Sequence, residues 1–129
     1  MPTTIGRALP STHRPSNLPD VALNADPYSG YSVYFNGQLY SGEGGTSFVS
    51  PQLNGIFTLI SSGLPGRVGN PAPQLYSAFK ALGYGTGSPF KAITTGDNQY
   101  YKAGPNFNPA SGLGSLDVDA LATALGVGH

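Results

Sequence analysis

Ser47 is the residue of this chain best placed to do chemistry. It lies between a flexible glycine turn, Gly44-Gly45, and the start of a long apolar helix pattern. A hydroxyl at such a junction lies beside the unpaired N–H groups of a helix N-terminus, which can stabilise the oxyanion that forms when serine attacks a carbonyl. Serine is also common at helix starts for capping reasons alone. Two interpretations of Ser47 are therefore open, a nucleophile or an N-cap.

A nucleophilic serine needs a base, because its hydroxyl pKa otherwise stays far above neutral. The single glutamate, Glu43, is four residues before Ser47 and would need a favourable turn to reach the hydroxyl. The two histidines are His13, in a proline-rich stretch, and His129 at the end of the sequence. None of the three is well placed, so we expect the chain alone to be inactive.

Composition excludes several partner classes. The 129 residues suit one domain or part of one. Only 9% of them are charged and the net charge is zero, so nucleic acid and anionic membranes are not expected partners. The absence of cysteine excludes disulfides and thiolate metal sites. No apolar run approaches the roughly twenty residues of a membrane span, and no signal peptide is visible at the start.

The elements that position Ser47 can be predicted from residue patterns. Residues 19–23 read as a short buried strand, and residues 31–35 and 38–40 as a hairpin around Asn36-Gly37. A helix is predicted from Ser47 to about Ile60, with Pro51 in its first turn, where proline is tolerated. Its apolar positions recur every three or four residues: Val49, Leu53, Ile56, Phe57 and Ile60.

The remaining sequence predicts two further helices joined by a long loop. Residues 73–82 form an amphipathic pattern that ends at Gly83, a residue type common at helix C-termini. Residues 83–114 are rich in Gly, Asn, Pro and Tyr, and an ordered loop of that length usually binds something or holds a metal. Ser115 is predicted to cap the last helix.

Four ordered motifs together resemble the sedolisins, the serine-carboxyl peptidases. They are Leu18-Pro19-Asp20-Val21, Ala25-Asp26-Pro27-Tyr28-Ser29-Gly30-Tyr31, Gly44-Gly45-Thr46-Ser47 with Pro51, and Gly112-Leu113-Gly114. The resemblance covers the C-terminal part of the catalytic domain of that family. It implies an α/β fold, the C-terminal portion of a subtilisin-like parallel-sheet domain with a local hairpin and three helices. Residues 1–17 would be a proline-rich arm, and residues 18–129 the sedolisin-like segment.

The resemblance identifies Ser47 as the nucleophile of an acid-active peptidase, with its own backbone N–H in the oxyanion hole. In the family a glutamate oriented by an aspartate is the general base, and a further aspartate completes the oxyanion hole. All three precede this segment, while Asp20 and Asp26 match positions that look structural. The implied partners are a polypeptide substrate and the N-terminal half of the domain as a separate chain, or self-association. The resemblance also implies secretion.

A calcium site before the last helix is the second feature that the resemblance implies. Ala92 and Asn108 stand where the two family aspartates would be. Backbone carbonyls of Ile93, Gly104 and Asn106 remain, with the neutral amide oxygen of Asn108. Because calcium affinity falls with the number of charged ligands, we expect a degenerate site with weak or no calcium, unless Asp97 compensates.

Three functions fit these observations. The first is one chain of a sedolisin-type peptidase that cleaves peptide bonds at acidic pH only when the missing half with its Glu and Asp is supplied. The second is a non-catalytic remnant that acts in binding or assembly. The third, an unrelated serine hydrolase, is disfavoured because no glycine follows Ser47 in the position that the pattern Gly-x-Ser-x-Gly requires.

Overall fold

The computed structural model describes residues 19–127 and, before them, the backbone of two short strands. The elements follow in chain order: β1 (Arg7–Ala8), β2 (Pro15–Ser16), β3 (Tyr31–Phe35), β4 (Gln38–Glu43), a 3₁₀ turn (Thr46–Phe48), α1 (Val49–Ser62), α2 (Ala72–Leu82), β5 (Phe90–Lys91), β6 (Ser115–Leu116) and α3 (Val118–Ala124). The predicted proline-rich arm, residues 1–17, otherwise lies outside the described residues.

Strands pair only locally in the described part of the chain. There, β1 pairs with β2, β3 with β4, and β5 with β6, each time antiparallel. The predicted α/β class, the local hairpin and the three helices are therefore confirmed. A parallel sheet is not among these pairings and stays a prediction. The chain divides into two compact units, one of residues 1–22 with Asn70–Gly126, the other of Leu23–Gly69 with the last three residues.

The β3–β4 hairpin forms where the sequence predicts it. Asn36 and Gly37 have φ angles of 50° and 77°, and two consecutive left-handed residues are what a tight two-residue hairpin loop requires. Val33 pairs with Tyr40 but Tyr31 with Glu43, so β4 carries one extra residue between these pairs. The extra residue makes a bulge beside the end of the strand that leads to Ser47.

Helix α1 begins directly after the 3₁₀ turn and contains Pro51 in its first turn, as predicted. Its one fully buried residue is Ile60, and Gly63 follows its end. Helix α2 also agrees with the prediction, with Pro73 near its start, Leu75 buried and Gly83 as its C-cap. Among the described residues, no helix has the length and apolar character needed to cross a membrane.

The start of the last helix differs from the prediction. Ser115 lies in β6, paired with Lys91, and is not the cap. Asp117 is the N-cap, because its side chain accepts a 3.2 Å hydrogen bond from the backbone N–H of Ala120. The pairing with β5 keeps Ser115 extended, which leaves the capping position to the carboxylate two residues later.

The predicted strand at residues 19–23 is also wrong. The segment is half-buried but makes only separate backbone bonds, from Leu113 N–H to Asp20 O (2.8 Å) and from Ala22 N–H to Gly114 O (3.0 Å). Gly112 explains the close approach, because a β-carbon there would collide with the backbone oxygens of Pro19 and Asp20. The partner of this segment is thus an irregular loop and not a strand.

The core of this first unit lies under the long loop. Four large apolar side chains are fully buried there: Leu75, Phe90, Leu113 and Leu121. The Phe90 ring also packs edge-to-face on Phe79, with 5.3 Å between ring centroids. Residues 83–114 are mostly irregular, as predicted, and contribute Phe90 and Leu113 to this core.

Candidate active site

Ser47 is the middle residue of the 3₁₀ turn that opens the α1 helix, and it is exposed. The caps at this point are Gly45 for the 3₁₀ turn and Phe48 for α1, and neither involves a side-chain hydrogen bond. No hydrogen bond joins the Ser47 hydroxyl to another described residue. The interpretation of Ser47 as an N-cap is therefore wrong, and its side chain is exposed.

Gly44 and Gly45 hold the chain at the point where β4 ends and the helix begins. Gly45 has a φ of 115°, and its N–H donates a 2.7 Å hydrogen bond to Ala25 O. A β-carbon on Gly44 would lie 2.6 Å from the backbone nitrogen of Pro27. Both glycines are therefore needed, one for its backbone conformation and one for the close approach to residues 25–27.

The turn that Gly44 and Gly45 contact is stabilised by the Asp26 side chain. Its carboxylate accepts hydrogen bonds from the N–H of Tyr28 (3.0 Å) and of Ser29 (3.1 Å), and from the Ser29 hydroxyl (2.8 Å). The Tyr28 N–H first, and then the Ser29 hydroxyl, lower the pKa of Asp26 below its ordinary value. Asn24 completes the turn by accepting from the N–H of Asp26 at 3.0 Å. This carboxylate thus holds the turn together through hydrogen bonds to Tyr28 and Ser29.

Aromatic packing fixes the residue next to Ser47. The ring of Phe48 stacks on that of Tyr31, with 5.3 Å between centroids and 8° between planes. The Tyr31 hydroxyl in turn donates a 2.7 Å hydrogen bond to Asn24 O. The helix start is thus tied to the Asp26 turn through two side chains. The local sequence pattern does not predict the contact between Tyr31 and Phe48, because both rings also fit an ordinary apolar core.

A cavity of about 270 Å³ opens beside the 3₁₀ turn. It is lined by Val33, Phe35, Tyr40, Glu43 and Phe48. Its walls are mostly apolar side chains with one carboxylate, a composition typical of ligand-binding pockets. The cavity therefore lies next to Phe48, the residue that follows Ser47.

The described residues bring no base to Ser47. Glu43 lines the cavity but makes no hydrogen bond to the Ser47 hydroxyl. His13 and His129 lie outside the described residues. The described part of the chain also holds no group of three or more His, Cys, Asp and Glu side chains that could bind a metal ion. The described residues thus place an exposed Ser47 side chain at a helix start, with no base hydrogen-bonded to its hydroxyl.

The four residues of the predicted calcium site do lie together. The N–H of Gly104 donates to Ile93 O at 3.2 Å. The side-chain amide of Asn108 donates to Asn106 O at 3.0 Å and to Gly104 O at 3.4 Å. The Asn108 amide oxygen accepts from the N–H groups of Ala110 and Ser111 and from the Ser111 hydroxyl. The donor side of this amide faces the carbonyls, an orientation that the sequence does not predict.

Comparison with known proteins identifies relatives over most of the chain, although no family model matches it. Xanthomonalisin of Xanthomonas sp. (strain T-22) is 36% identical over 109 residues, 81% of this chain and 13% of the relative. Kumamolisin of Bacillus sp. (strain MN-32) is 38% identical over 104 residues, 76% and 17% respectively.

Sedolisin of Pseudomonas sp. (strain 101) is 34% identical over 119 residues, which are 87% of this chain and 19% of the relative. The chain thus spans less than a fifth of the length of each of these three relatives. The three matches confirm the resemblance to the sedolisins that the sequence motifs indicate. As a segment much shorter than these relatives, the chain belongs to the sedolisin family of serine-carboxyl peptidases.

Proposed function

We propose that this chain is the nucleophile-bearing segment of a sedolisin-type serine peptidase, which hydrolyses peptide bonds at acidic pH once a segment with the general base is joined to it. The observation that carries the proposal is the exposed Ser47 hydroxyl, which caps no helix and lies in the 3₁₀ turn that leads into α1. Family membership supports the same role for Ser47.

The helix start supplies the electrostatic part of the reaction. The first N–H groups of a helix have no acceptor within it, and the helix dipole adds partial positive charge at the same end. The N–H of Ser47 belongs to this first turn and is therefore available to the oxyanion that forms at the attacked carbonyl. One such donor is worth about 3 to 4 kcal/mol of transition-state stabilisation in other serine peptidases.

The proton transfers require a carboxylate from outside this segment. Ser47 Oγ bonds to the carbonyl carbon while its proton passes to the carboxylate, which returns the proton to the leaving amine as the C–N bond breaks. The same carboxylate then takes a proton from a water molecule while the water oxygen bonds to the acyl carbon, and it returns that proton to Ser47 Oγ as the ester bond breaks. A carboxylate can do this in acid because its pKa matches that pH, whereas a histidine would already be protonated.

We also propose that the base-bearing segment packs on the β3–β4 hairpin and extends the fold to the parallel sheet of a subtilisin-like domain. Tyr34, Phe35 and Leu39 are 74%, 68% and 66% exposed. Adjacent exposed apolar side chains usually mark a surface that another part of the protein covers. The N-terminal part of the catalytic domain is the occupant that we expect, because more than four-fifths of the length of each relative lies outside the matched segment.

The test is complementation at about pH 4, within the range in which a carboxylate base works. The full chain is assayed on an unfolded protein, alone and together with the N-terminal part of the kumamolisin catalytic domain. Ser47→Ala is compared with Ser50→Ala, which removes another exposed serine hydroxyl three residues further along the chain, in α1. We expect activity only in the combination, lost in Ser47→Ala and kept in Ser50→Ala.

Two results would overturn the proposal in different ways. Activity of the chain alone that disappears in Ser47→Ala would show that the chain finds its own base, through Glu43 or a second copy. Co-elution of the two parts without activity would favour the second candidate, a non-catalytic binding or assembly module. That candidate is favoured by Ala92 and Asn108, which stand where the family resemblance places the two calcium aspartates.

A further inference from the structure

Asn108 is the most heavily bonded side chain in the loop before the last helix. It is 8% exposed, and its amide takes part in five hydrogen bonds. Its backbone adds two more, since Asn108 O accepts from the N–H of Gly112 at 2.8 Å and Asn108 N–H donates to Gly112 O at 3.3 Å. The residue thus organises the loop on both sides of itself.

The partners of this amide leave it one orientation. The Asn108 Oδ1 atom accepts from three donors, the N–H groups of Ala110 (3.1 Å) and Ser111 (3.0 Å) and the Ser111 hydroxyl (3.0 Å). The Nδ2 atom faces two acceptors, the carbonyl oxygens of Gly104 and Asn106. Exchanging the two atoms would set donors against backbone donors and an acceptor against carbonyls. The amide nitrogen therefore belongs on the carbonyl side.

A calcium ion does not fit this arrangement. Calcium takes six to eight oxygen ligands and binds more tightly as more of them are charged. The oxygens of Ile93, Gly104 and Asn106 already accept hydrogen bonds, and Asn108 presents a nitrogen to two of them. The Asp97 carboxylate accepts from the N–H of Gln99 at 2.9 Å, within its own turn. The donor set in the described loop is thus neutral, and its acceptors are in use.

We propose that the Asn108 amide takes the structural place of a metal ion in this loop, so that the fold of this chain does not depend on calcium. A bound cation and an N–H donor can have the same structural effect here, because each provides a partner for carbonyl oxygens that point toward one place. The Asn108 bonds also affect the core. The hydrogen-bonded turn between Asn108 and Gly112 positions the next residue, Leu113, which is fully buried. This inference is independent of the proposed peptidase activity.

The first test measures the Tm of the full chain with EDTA and with millimolar calcium at neutral pH, with magnesium as the control for ionic strength. We expect the same Tm in calcium and in magnesium. A ligand that binds only the folded state must raise the Tm as its concentration exceeds its Kd. A rise specific to calcium would therefore overturn the proposal.

The second test exchanges the donor for an acceptor. Asn108→Asp keeps the shape of the side chain but turns an oxygen toward the carbonyls of Gly104 and Asn106. We expect the Tm in EDTA to fall by at least about 4 °C. The matched control is Asn98→Asp, since Asn98 uses only its oxygen, as acceptor for the N–H groups of Tyr100 and Tyr101. That variant should keep the Tm of the parent chain.

Two further variants separate the loss of the hydrogen-bond donor from a general loss of stability. Ala92→Asp combined with Asn108→Asp puts carboxylates at both positions that the family resemblance assigns to calcium, and its Tm should rise with calcium but not with magnesium. Asn108→Ala, which has no ligand oxygen, should be destabilised and gain nothing from calcium. If Asn108→Asp were as stable as the parent chain in EDTA, the hydrogen bonds from the amide nitrogen would not stabilise the loop, and the proposal would be contradicted.

Discussion

The Tyr76 hydroxyl donates a 2.8 Å hydrogen bond to the Asp20 carboxylate across 56 residues of sequence. Tyr76 belongs to α2, and Asp20 lies in the irregular segment that also bonds to Leu113. Both side chains are half-buried, so the bond is partly shielded from water. It fastens the irregular segment at residues 19–22 to α2.

Tyr76→Phe should therefore lower the free energy of unfolding by about 1 kcal/mol, because it removes a donor to a charged group and keeps the ring. Urea unfolding at pH 7 measures the change. Tyr100→Phe is the control, since the Tyr100 side chain is 74% exposed and its hydroxyl has no hydrogen-bond partner among the described residues. Equal losses in the two variants would contradict a role for the Asp20 bond.

The same bond makes stability depend on alkaline pH. Burial first, and then the hydrogen bond to Asp20, raise the pKa of Tyr76 above its ordinary value of about 10. A raised pKa in the folded state means that the contribution is complete below pH 10 and is lost as the pH rises above it. The stability difference between the parent chain and Tyr76→Phe should therefore shrink between pH 10 and 12.

Local signals in the sequence account for the elements around Ser47. Asn36-Gly37 demands left-handed backbone, Pro51 suits a first helical turn, and both predictions are confirmed. The prediction of a strand at residues 19–23 is wrong because an apolar run does not reveal whether the segment beside it is a strand or a loop. The Tyr76–Asp20 and Tyr31–Phe48 contacts also lie beyond sequence reasoning, since neither pair is at a spacing that any local pattern joins.

Asp26 should make the turn beside Ser47 resistant to moderate acid. Its pKa is lowered by the Tyr28 N–H and then by Ser29, so its stabilising effect is present above the ordinary aspartate pKa and is lost only as the pH falls through the lower folded value. Asp26→Asn should be less stable than the parent chain at pH 7, and the difference should narrow on acidification. Urea midpoints from pH 7 to pH 2 measure this.

Ser29→Ala refines that test, because it removes one of the donors that lower the pKa of Asp26. The acid transition of this variant should move to higher pH. Ser41→Ala, at an exposed position of β4 with no side-chain hydrogen bond among the described residues, is the control and should follow the parent chain. An unchanged acid transition in Ser29→Ala would exclude Asp26 as its source.

Gly44 should be intolerant of even one added methyl group. A β-carbon there would lie 2.6 Å from Pro27 N and 2.9 Å from Ala25 O, so the backbone that carries Ser47 would have to shift. Gly44→Ala should destabilise the chain by more than about 1 kcal/mol. In the complemented peptidase it should lower kcat/KM well beyond that loss of stability, because small displacements of a nucleophile are costly.

Gly55→Ala is the matched control for Gly44→Ala. Gly55 is exposed in the interior of α1, and a β-carbon there meets no atom within 4 Å. Alanine should stabilise this helix by about 0.5 to 1 kcal/mol and leave activity unchanged. Loss of stability in Gly55→Ala, or none in Gly44→Ala, would contradict the packing described around Ser47.

Tyr34 and Tyr100 allow a test of the hairpin surface that does not depend on catalysis. Both tyrosines are 74% exposed, but Tyr34 lies in β3 while Tyr100 lies in the long loop. Tyr34→Gln should leave the free energy of unfolding within about 0.5 kcal/mol of the parent chain and weaken association with the N-terminal catalytic part about tenfold. Tyr100→Gln should change neither quantity.

Calorimetric titration of the two parts measures the affinity. Equal affinities for the two variants would place the contact elsewhere, whereas loss of self-association in Tyr34→Gln would identify a second copy as the occupant.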